Sequence, residues 1–230
     1  MTAEERQRDE PRISVTKLGE YMVASASRRR SIVRDQKRPR DVIVARYTEV
    51  YPVIAGYLSD GGQMPEAVEA AIQRLYDAPA TTEWQEQNNK LSAEALENFL
   101  ELSDTLDLSS FSVSLRPDDP PKLATEGVSI SVRPELGLTQ ANARDRIEGA
   151  VKLYISKNNA LGDDAGAYVA TTVHQYLSEV IAANTSVDTR ACFVIDVFAQ
   201  RVYTAPRAYR RRRADIAAAC QEIVRAWDVL

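Results

Sequence analysis

"GVSISVRPELGL", residues 127–138, places Val128, Ile130 and Val132 on alternate positions and then runs into Pro134-Glu135. Period two is the signature of a strand with one buried face, and Pro-Glu ends it in a turn. Eleven residues on, "GAVKLYISK" at 149–157 is a second apolar run, this one carrying Lys152. "FSVSLR" at 111–116 reads as a strand too, so three strands follow one another. "SVSLRPDD" and "SISVRPEL" resemble each other. Two adjacent strands ending in the same kind of turn account for so short a repeat. Beyond "NNALGDDAG" a helix carries Val169, Val173, Tyr176, Leu177, Val180 and Ile181 at helical spacing. "ACFVIDVF" at 191–198 is the most apolar segment and reads as a central strand, with "RVYT" as its partner. Pro206 opens a last helix bearing Tyr209, Ile216, Cys220, Ile223 and Trp227. Three strands, a crossover helix, a strand and a helix make an α/β fold with a central mixed sheet flanked by helices.

Upstream the period is helical. Ser14 is placed to cap a helix with Val15, Leu18 and Met22 on one face, and Pro39 ends the basic stretch that follows. A second helix is expected from Asp41 through Tyr47, Tyr51, Ile54 and Leu58, bent at Pro52 and stopped by "DGG" at 60–62. Pro65 starts a third, and a fourth is expected from Ser92 with Leu96, Phe99 and Leu100 inward. The organisation is therefore a polar, disordered N-terminus over 1–12, a helical region over 13–108 and an α/β core over 109–230.

A chain of 230 residues with 44% apolar and 27% charged residues has the composition of an ordinary globular protein. No apolar run approaches the ~20 residues of a membrane span, and "MTAEERQRDE" is charged where a signal peptide is apolar. A cytoplasmic protein with no membrane partner is the expectation. Cys192, Cys220 and one histidine, His174, are too few for a thiolate or imidazole zinc site within one chain, so the cysteines read as reduced and buried. The net charge of −4 hides segregation. Residues 12–46 hold ten Lys/Arg against Glu20, Asp35 and Asp41, and "RVYTAPRAYRRRR" holds six arginines and no acid. Residues 60–107 hold eleven acids against Arg74 and Lys90. Arg28, Arg29, Arg30, Arg210, Arg211, Arg212 and Arg213 are thus candidates for phosphate contacts, or else they form solvated helix faces or pair with acids of the same chain. No GxxxxGK[ST], GxGxxG or GxSxG motif is present, which removes the usual phosphate cradles and the nucleophile elbow.

The chemistry lies with Glu135, Glu148 and Lys152. Magnesium-assisted phosphodiester cleavage needs oxygen ligands on the ion and a group that positions water or stabilises developing charge. An acid ending one strand, with an acid and a lysine two apart on its neighbour, supplies both. Here Glu135 fits the first role and Lys152 the last, but the middle position is Ala150. Glu148, Ala150 and Lys152 alternate on one strand face, so Glu148 is the candidate second metal ligand, one step earlier.

This order resembles the PD-(D/E)XK, or restriction-endonuclease-like, superfamily, above all its RecB-like branch, over roughly residues 110–228. Pro134-Glu135 stands for the family's Pro-Asp, "AVK" at 150–152 for (D/E)-x-Lys, Gln175 for the RecB-like glutamine, and "ISVTKLGEYMVAS" for the opening Ser-x-x-x-Leu-x-x-Tyr helix. Ala150 and Glu179 depart from the pattern, the latter standing where a tyrosine is expected. The resemblance implies a restriction-endonuclease-like core that engages DNA, with magnesium held by Glu135 and Glu148, Lys152 in catalysis, and a setting in DNA repair, restriction or phage defence. The alternative is a noncatalytic nucleic-acid-binding or assembly subunit that keeps the fold, with a protein partner or a homo-oligomer against its apolar helix faces.

Overall fold

A computed structural model of the chain describes residues 7–39, 46–117, 119–141, 146–181 and 185–230. It opens with β1 (Arg12–Ser14), α1 (Val15–Val23), α2 (Ala26–Lys37), α3 (Val50–Ser59), α4 (Pro65–Asp77) and α5 (Glu83–Ser103). Four strands follow: β2 (Ser112–Leu115), β3 (Leu123–Thr125), β4 (Val128–Ser131) and β5 (Leu136–Ala141). Then come β6 (Arg146–Tyr154), α6 (Gly162–Tyr176) with a π-helical extension over Leu177–Ile181, β7 (Ser186–Asp196), β8 (Arg201–Thr204) and α7 (Tyr209–Val229). The fold is α/β, with a mixed five-stranded sheet ordered β2-β5-β6-β7-β8, a small sheet ordered β1-β4-β3, and flanking helices. In the large sheet only β6 and β7 run parallel, joined by the α6 crossover; the other neighbours are antiparallel.

The decisive stretch is two strands rather than one. β4 belongs to the small sheet, while the strand beside β6 is β5, "LGLTQA". The break is local: Arg133 takes a left-handed φ of 44°, and Pro134 has no N–H to give a ladder. Glu135 therefore stands at the entrance to β5 instead of at the end of the preceding strand. Gly137 and the polar Thr139-Gln140 pair dilute the strand signal of β5 in the sequence.

Both faces of the central sheet are covered. Ala150, Cys192 and Val194 point to a core shared with α1, α2, α6, α7 and the small sheet. Leu136, Leu138, Val151, Leu153 and Ile195 point to a second core under α3, α4 and α5. The helical residues 13–108 thus divide between the two layers. The N-terminal segment is held more firmly than its polarity suggests. Arg8 donates from its backbone to Lys37 (2.9 Å) and from its side chain to Gln36 (3.0 Å), and the Pro11 carbonyl accepts from Ser129. The rest of the expected disordered terminus, residues 1–6, lies outside the described residues.

Three helix starts move, that of α7 to Tyr209, three residues past Pro206. α3 begins at Val50, which puts Pro52 in its first turn, where a missing N–H disrupts nothing and no bend arises. Residues 40–45 of the expected earlier start lie outside the described residues. α5 begins at Glu83 rather than near Ser92, because the Thr82 hydroxyl caps it by accepting from Gln85 N, a polar turn with no apolar stripe to announce it. Ser14 caps α1 as its sequence position suggests.

β6 carries a register shift against β7 between Glu148 and Ala150. A Cβ on Gly149, at that shift, would stand 2.4 Å from the Ala191 carbonyl oxygen and 2.6 Å from its Cβ. Backbone of the neighbouring strand cannot give way cheaply. Gly149→Ala is expected to lower stability by about 1–3 kcal/mol, read as a lower urea midpoint with an unchanged slope.

Candidate functional site

Glu135 and Lys152 meet across the start of the β5–β6 ladder. The Glu135 backbone N–H donates to the Val151 carbonyl (3.0 Å), and the register that pairs Leu136 with Val151 sets Glu135 beside Lys152. Its carboxylate accepts from Lys152 Nζ through one oxygen and from the Leu153 N–H (2.6 Å) through the other. Pro134 has no N–H to donate to the ladder, and the Glu135 carboxylate acts as the acceptor for the Leu153 N–H where a strand carbonyl would otherwise stand. Both side chains are largely buried, at 15% and 11% exposure, so the pair neutralises two charges that neither could carry there alone. Tyr51 of α3 closes over it, its ring centroid 6.0 Å from Nζ. Burial, and secondarily the Glu135 charge, push the Tyr51 hydroxyl pKa well up, so the phenol stays protonated.

Glu148 lies further down the same strand. It stands four positions before Lys152, roughly 13 Å along the backbone at ~3.3 Å per residue. Its carboxylate accepts from Thr139 Oγ1 (3.5 Å) and faces Arg116 Nη2 at 3.9 Å. Arg116 follows β2, fixed by its N–H donating to the Glu135 carbonyl (3.0 Å). Its guanidinium crosses β5 at Gly137, where a Cβ would stand 2.5 Å from Nε and 2.9 Å from Cζ. Gly137 pairs with Ala150, so the place of the absent acid adjoins an arginine.

The pair opens onto a cleft. A cavity of about 500 Å³ is lined by Tyr51, Arg116, Pro117, Arg133 and Glu135, among others. Another, of about 350 Å³, shares Tyr51 and Arg133 and reaches Ser14 and Lys152. A larger cavity of about 700 Å³ lies apart from this chemistry at the ends of α3 and α5, where Asp60 and Asp107 are its charged lining.

The residues do not fit a magnesium ion. Both Glu135 oxygens are engaged by protein donors, Ala150 offers none, and Glu148 is held with Thr139 beside a fixed cation. Among the described residues no group of three His, Cys, Asp or Glu side chains converges as a metal site. The sequence reading of Glu135 and Lys152 as neighbours corresponds to a direct contact, whereas the two carboxylates are not brought together. Gln175 donates to Glu179 (3.3 Å) and leaves its own buried carbonyl oxygen without a partner.

The arginines divide. Arg28 pairs with Glu20 at 2.5 Å. Arg29 donates to the Tyr21 and Met22 carbonyls and lies 3.4 Å from Glu222. Arg212 stacks on Tyr168 beside Asp164. Arg213 donates to His174 Nδ1 (3.0 Å) and faces Glu179 (3.3 Å). Arg30, Arg210 and Arg211 are exposed and have no side-chain partner among the described residues. Tyr203, between Arg201 and Arg207 in the basic segment, is buried with its ring against Gly166 and is not presented for stacking with a base. Cys192 and Cys220 are free and buried, and burial pushes the Cys220 thiol up to about 12.

The chain matches no known family model and no curated protein.

Arg116 and Tyr51 are the site residues that sequence reasoning missed. The "LRP" and "VRP" repeat was the trace of Arg116: its two arginines, Arg116 and Arg133, are both among the residues around one cavity.

Two measurements probe this arrangement. Lys152→Met strands a buried carboxylate and is expected to destabilise by about 3 kcal/mol, whereas Lys152→Met with Glu135→Leu loses clearly less; additive losses in urea melts would deny the coupling. The second concerns His174, whose pKa burial and, next, Arg213 depress to about 4. The folded state keeps it neutral where the unfolded chain, titrating near 6.5, binds a proton, so stability falls as pH drops through that window. Between pH 7.5 and 5.0 the loss should be about 2 kcal/mol and should shrink in His174→Gln.

Proposed function

We propose that this chain engages nucleic acid on a restriction-endonuclease-like framework without cutting it. The strand that bears Lys152 follows the strand entered through Glu135, and the α6 crossover leads to a parallel neighbour, an order that supports the nuclease-like reading. The observation that carries the noncatalytic reading is the Glu135 carboxylate engaged through both oxygens near Ala150, with the Arg116 guanidinium over Gly137, the residue paired with Ala150. A divalent ion would have to displace two protein cations from a largely buried setting, against their Coulomb attraction to the same carboxylates.

Binding is assigned to the exposed arginines. Arg210 and Arg211 open α7, and Arg30 lies on α2. Arg28 and Arg29 sit in surface ion pairs worth only ~1 kcal/mol or less, so a phosphate can recruit them. Such contacts release counterions and weaken as salt rises.

The test has two arms. Linear and supercoiled DNA incubated with magnesium or manganese should stay intact with the wild-type protein and with Lys152→Ala alike. Metal-dependent cutting that disappears in Lys152→Ala would restore the enzyme reading. In filter-binding titrations across salt, Arg210→Ala with Arg211→Ala should lower the log–log slope by about two. A salt-independent or absent signal would remove nucleic acid as the partner.

A further inference from the structure

The outer face of the α4–α5 layer is acidic along its length. On α4, Glu66, Glu69, Gln73 and Asp77 recur three or four apart on the exposed side. On α5 the same spacing aligns Glu83, Glu86, Lys90, Glu94, Glu97 and Glu101. Tyr76 joins the two stripes, its hydroxyl donating to Glu97 (3.0 Å). Trp84 lies at the start of α5, 38% exposed, and is neither hydrogen-bonded nor stacked on another ring among the described residues. It lines an open hollow of about 510 Å³ with Glu83, Glu86, Gln87 and Lys90. Glu83 has no partner among the described residues, and Glu86 is held by Lys90 (2.6 Å) in an exposed pair that a competing cation can share at little cost. An aromatic ring flanked by carboxylates suits a guanidinium, which stacks on the ring and donates in its own plane.

The same chain carries the complement on the other side of its central sheet. Arg207, Arg210 and Arg211, around the start of α7, are exposed and have no side-chain partner among the described residues. α7 packs into the core it shares with α1, α2 and α6, whereas α4 and α5 pack into the other. The sheet stands between the two surfaces, so a molecule does not pair them with each other internally. We propose that the α4–α5 face docks the arginine tip of a second copy, with Arg210 or Arg211 seated on Trp84 beside Glu83 and Glu86. The contact is heterologous and leaves every pair a free tip and a free face, so association runs past two copies. It goes beyond the nucleic-acid reading and draws on two arginines which that reading uses. A bound nucleic acid and a docked copy therefore exclude each other at the tip.

The experiment is sedimentation velocity over a range of protein concentration, first without nucleic acid. At low ionic strength the sedimentation coefficient is expected to rise with concentration, and at high salt to stay at the monomer value. Trp84→Ala should weaken association about tenfold or more. Glu83→Arg with Glu86→Arg, and separately Arg210→Glu with Arg211→Glu, should each sediment as a monomer. An equimolar mixture of these two charge-reversed proteins should associate again, since each offers the other a complementary tip and face. Misfolded variants would regain nothing, so recovery in the mixture also rules out loss through misfolding. A wild-type monomer at every concentration, undiminished association in Trp84→Ala, or a mixture of folded variants that stays monomeric each overturns the docking. Short duplex DNA is then added to the wild-type assembly. Dispersal supports the shared arginines, and an assembly that persists removes Arg210 and Arg211 from the nucleic-acid surface, while the mixture continues to decide the docking.

Discussion

Glu135 ties three strands with one residue. Its backbone N–H and carbonyl join β6 and the end of β2, at Val151 and Arg116, while its carboxylate accepts from Lys152 and from the Leu153 amide. A carboxylate this buried is tolerable only with such partners, and an unpaired lysine on β6 would be just as costly. Remove the acid and Lys152 loses its counter-charge and the Leu153 N–H its acceptor, while the backbone links to Val151 and Arg116 remain. An acid and a lysine on adjacent strands therefore have a sufficient structural reason in this molecule before any chemistry is asked of them.

The same pairing decides the electrostatics along the strand face. Glu135 is balanced by Lys152 and Glu148 stands opposite Arg116, so two negative charges sit with two positive ones on protein groups already desolvated by the fold. Exchange of those internal cations for a hydrated divalent ion gains little, since the ion must shed water and the displaced side chains must find new partners.

The sequence made the large elements legible because they are strongly periodic: α4, α6, α7, β6 and β7 announce themselves through stripes or continuous apolar runs. It hid β5, since Gly137 and the Thr139-Gln140 pair break the alternation, and the reason for the glycine is tertiary: it clears space for Arg116. It hid the first two turns of α5, which are polar and begin with a cap rather than a stripe. At the site, Glu135 and Lys152 could be paired from strand order alone. The fate of Glu148 could not, because alternation says which face a residue takes and nothing about which cation lies across it. Arg116 was visible only as half of a short repeat whose meaning depends on two loops meeting.

Charge placement explains how an acidic protein, with a pI near 5.3, can present a basic contact surface. Four arginines of the two basic blocks spend their charge at home: Arg28 and Arg29 on α1 and α7, Arg212 and Arg213 on α6 and its π-helical extension. These contacts staple helices of one layer, so removing them would disturb packing as well as any partner. Arg30, Arg210 and Arg211 have no such duty, and a screened surface charge influences a partner only within about a Debye length, ~8–10 Å. The positive field at the surface is therefore set by the arginines left without internal partners, not by the arginine count of the sequence. Overall charge and local affinity separate for that reason.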